Sequence, residues 1–548
     1  MPAGARVLVD CLLREGIDHV FGIPGTQNLP ILDALYDTPQ IRFILTRHEQ
    51  GAAFMAFGFA RASGGPSVVT VTEGPGVTNA ATAMAAALRA FVPVIAVTGT
   101  AEHRIRERDA NQELDQISFV RPITKWAYSI PSASKVQEAM RKAFRMALTE
   151  PLGPVHVESS RDVYLAETEV EPYEPASYRP VTLPDCNPKQ LDQVMALLER
   201  SERPVFVAGG GVLQEKASEA LGRLAELSGI PVAALQYFPD VIPNTHPLSI
   251  GPMGRNGWSS ANRLVPKADL VIAVGARMDI FSTTFQYGII SREAKLVHHN
   301  AAPTQLGVPF PFAVGVVGST VSFIAGLTER VERSRRKWAW ADVAKARAEW
   351  EAERKANARA DITPIAPPFL ADAMRKALPA NGVLVVDAGN QAKQMRMQYD
   401  AYEPGTYITM DDWGAVGGAF PIALGAKLAR PDRPVMCSMG DMGMMVNLGE
   451  LETAVRENIP VVAVVYNDQG LGNERAFQRD LYGGRLFGVD YRNPDFGAVA
   501  RDFGAYGEQV RDPGEVAGAL RRALESRKPA VVDVLIHQDM LASVAIKA

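Results

Sequence analysis

The sequence predicts an α/β protein of three doubly wound parallel-sheet domains. Three observations carry that expectation. Apolar runs such as SVVTV (67–71), VPVIAV (92–97), PVFVA (204–208), LVIAV (270–274), VLVV (383–386) and VVAVVY (461–466) end in Gly, Asn or Asp turns, as fully buried parallel strands do. Segments of helical period lie between many of these runs, which is the alternation of an α/β fold. The 548 residues correspond to roughly three to four domains.

In chain order, MPAGARVLVDCLLREG (1–16) has the apolar stripe of an amphipathic helix and not the layout of a signal peptide. Residues 1–165 then alternate strand and helix: DHVFGIPG (18–25), FILTRHEQGAAFMAFGFARASG (43–64), SVVTVTEGPGVTNAATAMAAALRA (67–90), VPVIAVTG (92–99), and GPVHVES (153–159) as the last strand. Residues 166–188, rich in Pro and Glu, read as a linker. Residues 189–328 form the second domain, on the strands of RPVFVAGGGV, GIPVAAL and ADLVIAVGAR. Gly209–Gly211 is not a GxGxxG fingerprint and reads as a tight strand-to-helix turn. Residues 329–368 are a highly charged helical connector expected on the surface, closed by Pro364, Pro367 and Pro368. Residues 369–548 make the third unit, with PAVVDVLI (529–536) as its closing strand.

Composition narrows the function. The net charge is −4 with no basic block, which argues against nucleic acid. No run of about 18 apolar residues exists, so no membrane span is expected. Cys11, Cys186 and Cys437 are scattered without metal-ligand spacing, which suits a reducing, cytoplasmic setting.

The stretch 440–472 carries the chemistry. VMCSMG (435–440) is a strand ending in a turn, with Asp441 at the mouth. Leu448, Leu451, Val455 and Ile459 follow at helical spacing, which puts Glu450, Glu452, Arg456 and Glu457 on the wet face. Pro460 ends that helix and VVAVVY is the next strand. Both strands point the same way, so Asp441 and Asn467-Asp468 lie at neighbouring carboxyl ends, where open sheets bind ligands. A carboxylate, a second side-chain oxygen and the Gly470 carbonyl would cage a hard cation, and Mg²⁺ suits a phosphate-bearing ligand. The N-terminus of the intervening helix would add N–H groups for an anion.

GD followed about 27 residues later by an Asn/Asp-x-Gly cluster resembles the diphosphate-and-metal motif of thiamine diphosphate enzymes, in the acetolactate synthase and benzoylformate decarboxylase group. The resemblance implies that Asp441, Asp468 and the Gly470 carbonyl bind the metal, with Asn467 as the fallback ligand. Met442 and Gly443 belong to the same loop, and Met442 departs from the usual Gly-Asp-Gly. The three domains become pyrimidine-binding, central and diphosphate-binding. Glu49, in RHEQGAA, matches the Glu that hydrogen-bonds N1′ of the aminopyrimidine, so that the 4′-nitrogen can act as base towards the thiazolium C2 proton. Without the resemblance it reads as a helix cap or a partner of Arg47. Gly74, Pro75 and Asn79 match the turn beside the pyrimidine. Glu73 stands there in place of a small residue, facing either the pocket or solvent. Gly414 and Val416 match the pyrimidine-gripping loop, with Val416 as the apolar wedge. Gly389, Asn390 and Gln391 match the loop holding the diphosphate from the other side.

Thr26 and Gln27 fall in the loop that faces C2 in the family. With Thr72 they replace the His or acidic residues of relatives that release free aldehyde. Gln112 lies in a stretch similar to the FQE segment of acetolactate synthases and reads either as an active-site donor or as a surface glutamine. Arg161 stands where those enzymes have Lys. Arg277 resembles a nucleotide-contacting Arg, but Asn300 and Ala302 replace the acidic pair of that strand. The flavin site is therefore expected to be degenerate, with FAD not a cofactor. His298 and His299 alternate sides of one strand and do not suit one metal. The implied function is a thiamine diphosphate- and Mg²⁺-dependent enzyme that decarboxylates a 2-oxo acid and passes the remainder to an acceptor carbonyl. It would work as a homodimer or homotetramer with active sites between subunits. Alternatives are a simple 2-oxo acid decarboxylase, a scaffold without catalysis, and a nicotinamide dehydrogenase, which the missing GxGxxG disfavours.

Overall fold

A computed structural model describes residues 1–180, 182–284, 287–410 and 413–544. Among the described residues, eighteen strands form three six-stranded sheets. The first sheet comprises β1 (His19–Gly22), β2 (Arg42–Leu45), β3 (Ser67–Val71), β4 (Val94–Thr100), β5 (Trp126–Ile130) and β6 (Val155–Ser160). The second has β7 (Pro204–Ala208), β8 (Val232–Ala234), β9 (Ser249–Pro252), β10 (Leu270–Val274), β11 (Lys295–Asn300) and β12 (Val314–Val317). The third has β13 (Val383–Val386), β14 (Tyr407–Ile408), β15 (Val435–Gly440), β16 (Val461–Asn467), β17 (Tyr506–Val510) and β18 (Ala530–Leu535). Every strand pair is parallel. The expected fold class, three doubly wound parallel sheets, is what the chain adopts.

The orders are β2-β1-β3-β4-β6-β5, β12-β11-β10-β7-β8-β9 and β14-β13-β15-β16-β18-β17. In each, the chain winds in opposite directions from two adjacent strands: β1 and β3, β7 and β10, and β13 and β15. Loops leaving the carboxyl ends of such neighbours diverge to opposite faces and open a crevice.

One helix pair joins the outer sheets. Helix Glu49–Ser63 packs along helix Ala419–Ala429, and both are rich in small residues. The backbones touch. A Cβ on Gly58 would stand 2.0 Å from the Ile422 carbonyl oxygen, and one on Gly425 would stand 2.0 Å from that of Met55. Apolar residues of the first and third sheets therefore share one core, from Phe21, Ala52 and Phe57 to Ile422, Leu451 and Val465. The middle sheet keeps its own cores on its two faces.

β6 and β18 are the last strands of their sheets in sequence, as expected, and β5 and β17 form the edges beyond them. Strands β5, β9, β14 and β17 carry no strong apolar run. Other expectations need correction. The charged stretch 329–361 is not one surface helix. Helix Thr320–Ser334 ends at Arg335 in a left-handed conformation, and a second helix spans Val343–Asn357. Between and within them Trp338, Trp340 and Trp350 are buried, and Trp350 stacks on Trp258. The expected helix after Asp441 is two short ones, Asp441–Val446 and Glu450–Arg456. Among the described residues, no helix is long and apolar enough to cross a membrane.

Candidate active site

The third domain gathers one set of the singled-out residues. β15 and β16 run in register to Gly440 opposite Tyr466, so Asp441 and Asn467-Asp468 leave the sheet side by side. Asp441 is 1% exposed and opens helix Asp441–Val446. Its Oδ1 accepts from the Tyr491 hydroxyl at 2.7 Å and from the Met442 amide at 2.7 Å. Its Oδ2 accepts from Asn493 Nδ2 at 2.7 Å and from the Gly470 amide at 3.3 Å. The same Tyr491 hydroxyl lies 3.0 Å from the Gly470 carbonyl oxygen. A hydroxyl has one proton, so it cannot serve both oxygens at once, and the cluster has more acceptors than donors.

Asp468 is also buried. Its Oδ2 accepts from Arg475 Nη1 at 3.2 Å, and Arg475 reaches on to Asp490 at 2.5 Å. Burial, and then the charge of Asp441, push the Asp468 carboxyl up to about 7. Burial raises Asp441 as well, against the four donors that pull it down. Two buried carboxylates and a carbonyl short of protons are the donor set a hard cation satisfies. Asn467 faces elsewhere: its Nδ2 donates to Asp533 at 2.9 Å, and its Oδ1 accepts from Asn493 at 3.1 Å.

Across the sheet's reversal point lies the end of β13. Asp387 is buried there, with the Gly417 amide 2.9 Å from Oδ2. Burial lifts its carboxyl to about 7 against these backbone bonds. Gly443 passes close by, since a Cβ there would stand 2.3 Å from Asp387 Oδ2. Gly389 leads into helix Asn390–Gln398. Asn390 pairs twice with the Ala542 backbone, and Gln391 Nε2 donates to Ala388 O at 2.9 Å. Gly414 lies at the same mouth, while Val416 is 41% exposed. Val416, Trp413, Met445 and Val446 leave apolar surface in the open.

The first domain gathers the second set at its own reversal point. Thr72, past the end of β3, donates to Gln27 Oε1 at 2.7 Å. Asn28, fully buried, ties that loop down by accepting from Gly25 N and donating to Ile23 O. Thr26 lies in the same loop. Gly74 has φ +60, and a Cβ there would stand 2.4 Å from Gln112 O, so only glycine fits the turn before Pro75. Glu49 begins helix Glu49–Ser63, and its Oε2 accepts from Asn79 Nδ2 at 2.9 Å. It is neither cap nor partner of Arg47. His48 caps that helix by accepting from Gln50 N, and Arg47 faces Glu452.

One residue differs from its sequence reading, and the fold places two others. Glu450, expected on the wet face, is 1% exposed. Its carboxylate accepts from His48 N at 3.0 Å, Arg47 N at 3.2 Å and Thr453 Oγ1 at 2.7 Å. It therefore braces the turn that presents Glu49. Gln112 is exposed, and the buried glutamine of that stretch is Gln116. Gln116 accepts from Gly74 N at 3.1 Å and donates to Glu158 Oε2 at 2.8 Å. Glu73 is buried, with Oε2 unpaired. Burial, then the charges of Glu158 and Glu113, lift its carboxyl to about 7. The folded pKa thus exceeds the ordinary 4.5, so the native protein holds a proton that unfolding releases. The stability Glu73 contributes is complete below about 4.5 and lost as pH rises through about 7. Glu73→Gln is expected to raise the melting temperature by about 2–4 °C at pH 8 and leave it unchanged at pH 4, as read by calorimetry.

The middle domain's reversal point opens a crevice of about 620 Å³, lined in part by Gly210, Gly211, Phe238, Arg277, Asn300 and Gly405. Arg277 donates to Arg89 O at 2.6 Å and lies over the Phe91 ring. Asn300 donates to Ala276 O and accepts from Ala302 N. His298 and His299 are buried and bond separately to Ala276 O and Gly318 O.

Comparison with known proteins decides the family. Residues 2–119 match the thiamine pyrophosphate enzyme N-terminal TPP binding domain, 191–327 the central domain and 387–534 the C-terminal TPP binding domain. The chain belongs to the thiamine pyrophosphate enzyme family. As a thiamine pyrophosphate enzyme it is a decarboxylating and carboligating catalyst that uses thiamine diphosphate. A probable acetolactate synthase large subunit of Methanocaldococcus jannaschii is 34% identical, over 97% of this chain and 92% of the relative. The acetolactate synthase large subunit of Corynebacterium glutamicum is 32% identical, over 98% and 87%. The sulfoacetaldehyde acetyltransferase of Alcaligenes xylosoxydans xylosoxydans is 31% identical, over 98% and 93%.

Proposed function

We propose that this enzyme decarboxylates a 2-oxo acid such as pyruvate and joins the remaining carbon unit to an acceptor carbonyl, in the manner the name acetolactate synthase denotes. The observation that carries the reading is similarity along nearly the whole chain to relatives of that name. The neutral trio Thr26, Gln27 and Thr72 supports it, because no titratable side chain among them could protonate the product before the acceptor arrives.

Thiamine diphosphate, when bound, supplies the carbon nucleophile and the electron sink for loss of CO₂. Asp441, Asp468 and the Gly470 carbonyl would hold Mg²⁺, and the donor deficit around Tyr491 supports that set over Asn467. Gly389, Asn390, Gln391, Met442 and Gly443 line the diphosphate end. Gly414 and Val416 would meet the pyrimidine ring, with Gly74, Pro75 and Asn79 on its other side. Glu49 would hold a proton at N1′, and Asn79 fixes its carboxylate for that task. Thr26, Gln27 and Gln112 are assigned to the substrate side.

The exposed Trp413, Val416, Met445 and Val446 support a cleft completed by a second copy, hence a homodimer or homotetramer. The large-subunit names of the relatives support a separate partner chain. Asn300 and Ala302 in place of acidic residues support a middle domain without FAD. Buried, unbridged Cys11, Cys186 and Cys437 support a cytoplasmic setting. The working units remain 1–165, 189–328 and 369–548.

Chelation with EDTA followed by desalting is expected to abolish CO₂ release from pyruvate, and added Mg²⁺ with thiamine diphosphate to restore it. Product analysis tests the reaction itself. Acetolactate is expected from pyruvate alone, and free acetaldehyde without it would establish the simple decarboxylase instead.

A further inference from the structure

A cavity of about 220 Å³ lies between the middle and third domains, and Asp387, Gly389 and Gly414 form one wall of it. It therefore adjoins the cleft assigned to the coenzyme. The facing wall is cationic. Lys393 and Arg396 stand three apart on helix Asn390–Gln398 and share its face, and Arg255 comes from the loop after β9.

What touches these three groups directly is aromatic or uncharged, although the charges of Glu474 and Asp480 reach Lys393 from further off. Arg255 lies over the rings of Phe281 and Phe477, 5.6 Å from each centroid. Lys393, only 7% exposed, lies 5.5 Å over Phe477 and donates to Asn473 Oδ1 at 2.6 Å. Arg396 lies over Tyr237 and donates from Nη1 to the Arg255 carbonyl at 3.2 Å, while its Nε is buried without a partner. Among the described residues no carboxylate forms an ion pair with any of the three. The wall's own carboxylate, Asp387, is held by backbone amides of Gly417 and Ala419. Of the acids beyond, Glu474 is engaged by Asn473, and Asp480 by Arg479 and Ser543. Burial and the two guanidiniums push Lys393 down to about 7.

The polar residues of the cavity are also unfilled. Gln236 is 2% exposed with Oε1 unpaired, and Asn256 Oδ1 is likewise buried and unpaired. A half-turn of the Gln236 amide would present its NH₂ instead, whereas Asn256 Nδ2 already donates to Ser543 O at 3.4 Å. Two guanidiniums and a lysine with no ion-pair partner among the described residues, beside two buried amide oxygens without a donor, are costly unless an anion completes them. That anion is not the carboxylate the donor loses. A strong cationic grip on a group leaving as neutral CO₂ would stabilise the ground state and slow its departure. Two guanidiniums and a lysine also exceed what one retained carboxylate needs.

We propose that this cavity is an anion subsite selecting a carbonyl substrate that bears a second acidic group remote from its reacting carbonyl, as a dicarboxylic 2-oxo acid does. The proposal rests on the carboligation reading and names its substrate class. The donor and the acceptor could each bring the second acid, and the test separates them.

The test compares kcat/KM for 2-oxoglutarate and 2-oxopentanoate, equal in carbon number, on enzyme saturated with thiamine diphosphate and Mg²⁺. Each is tried as donor and, against pyruvate, as acceptor. The diacid is expected to be favoured at least about tenfold in one role, the scale of one charge-assisted hydrogen bond. Arg255→Met and Lys393→Met are expected to erase that preference with the coenzyme Kd unchanged. No preference in either role overturns the proposal, as do variants that depress both substrates equally. A tenfold weaker coenzyme Kd in the variants also overturns it, since the cations would then serve the diphosphate. Calorimetric binding of glutarate against pentanoate needs no turnover. Glutarate binding that Lys393→Met abolishes, in a protein that turns over no 2-oxo acid, would keep the anion subsite and end the carboligation reading. Absence of both ends both.

Discussion

Glu49→Gln should fold normally, bind thiamine diphosphate, and lose about 10²- to 10⁴-fold in kcat, the range that one positioned acid–base group supplies. The substitution keeps size and shape. A glutamine carbonyl can still accept from Asn79 Nδ2, so the contact at 2.9 Å survives. What disappears is the proton that a carboxyl can share with N1′. Steady-state CO₂ release from pyruvate, with circular dichroism and coenzyme calorimetry as controls, reads the effect. Activity within threefold of the parent would remove Glu49 from the chemistry.

Asp441→Asn should cost still more of the enzyme's working state. The carboxylate takes four donors: the Tyr491 hydroxyl, the Asn493 amide and the backbone N–H of Met442 and Gly470. An asparagine turns one oxygen into an NH₂ that points at two of those donors. It also withdraws one negative charge from the cation nest. Loss of an outer partner of a metal site costs about 10–100-fold in affinity, and loss of a ligand should exceed that. Thiamine diphosphate Kd in the presence of Mg²⁺ should therefore rise by more than about 100-fold in a calorimetric titration. An unchanged Kd would place the cation elsewhere.

How much of this was legible in the sequence depended on where each signal lived. The central strands announced themselves because both faces are buried, which leaves an unbroken apolar run such as Val461–Tyr466. Edge strands did not: β17, Tyr506–Val510, is mostly half-buried and reads YGEQV. Asp441, Asp468 and Gly470 were legible because one strand–helix–strand unit sets their spacing. Glu450 was misread for the opposite reason. Helical period placed it outward, but its partners are the amides of Arg47 and His48, some 400 residues away in sequence. No local pattern encodes such a neighbour. Gln112 was singled out on resemblance alone, and only the fold reveals that Gln116 of the same stretch turns inward to Gly74. Tyr491 and Asn493 fell in a loop without periodicity, though they hold the Asp441 carboxylate.

The backbone contact of Gly58 with Ile422 has a consequence for the nascent protein. A ribosome must add 364 residues after Gly58 before its partner exists. At about 5–20 residues per second that is a delay of about 20–70 s. Throughout it, the greasy flank of helix Glu49–Ser63 has nothing to cover it. The intervening middle sheet, with cores of its own, can finish folding in that time. The first domain thus leaves the exit tunnel as an unfinished surface and depends on chaperones, or on dilution, until the last third of the chain arrives to seal it.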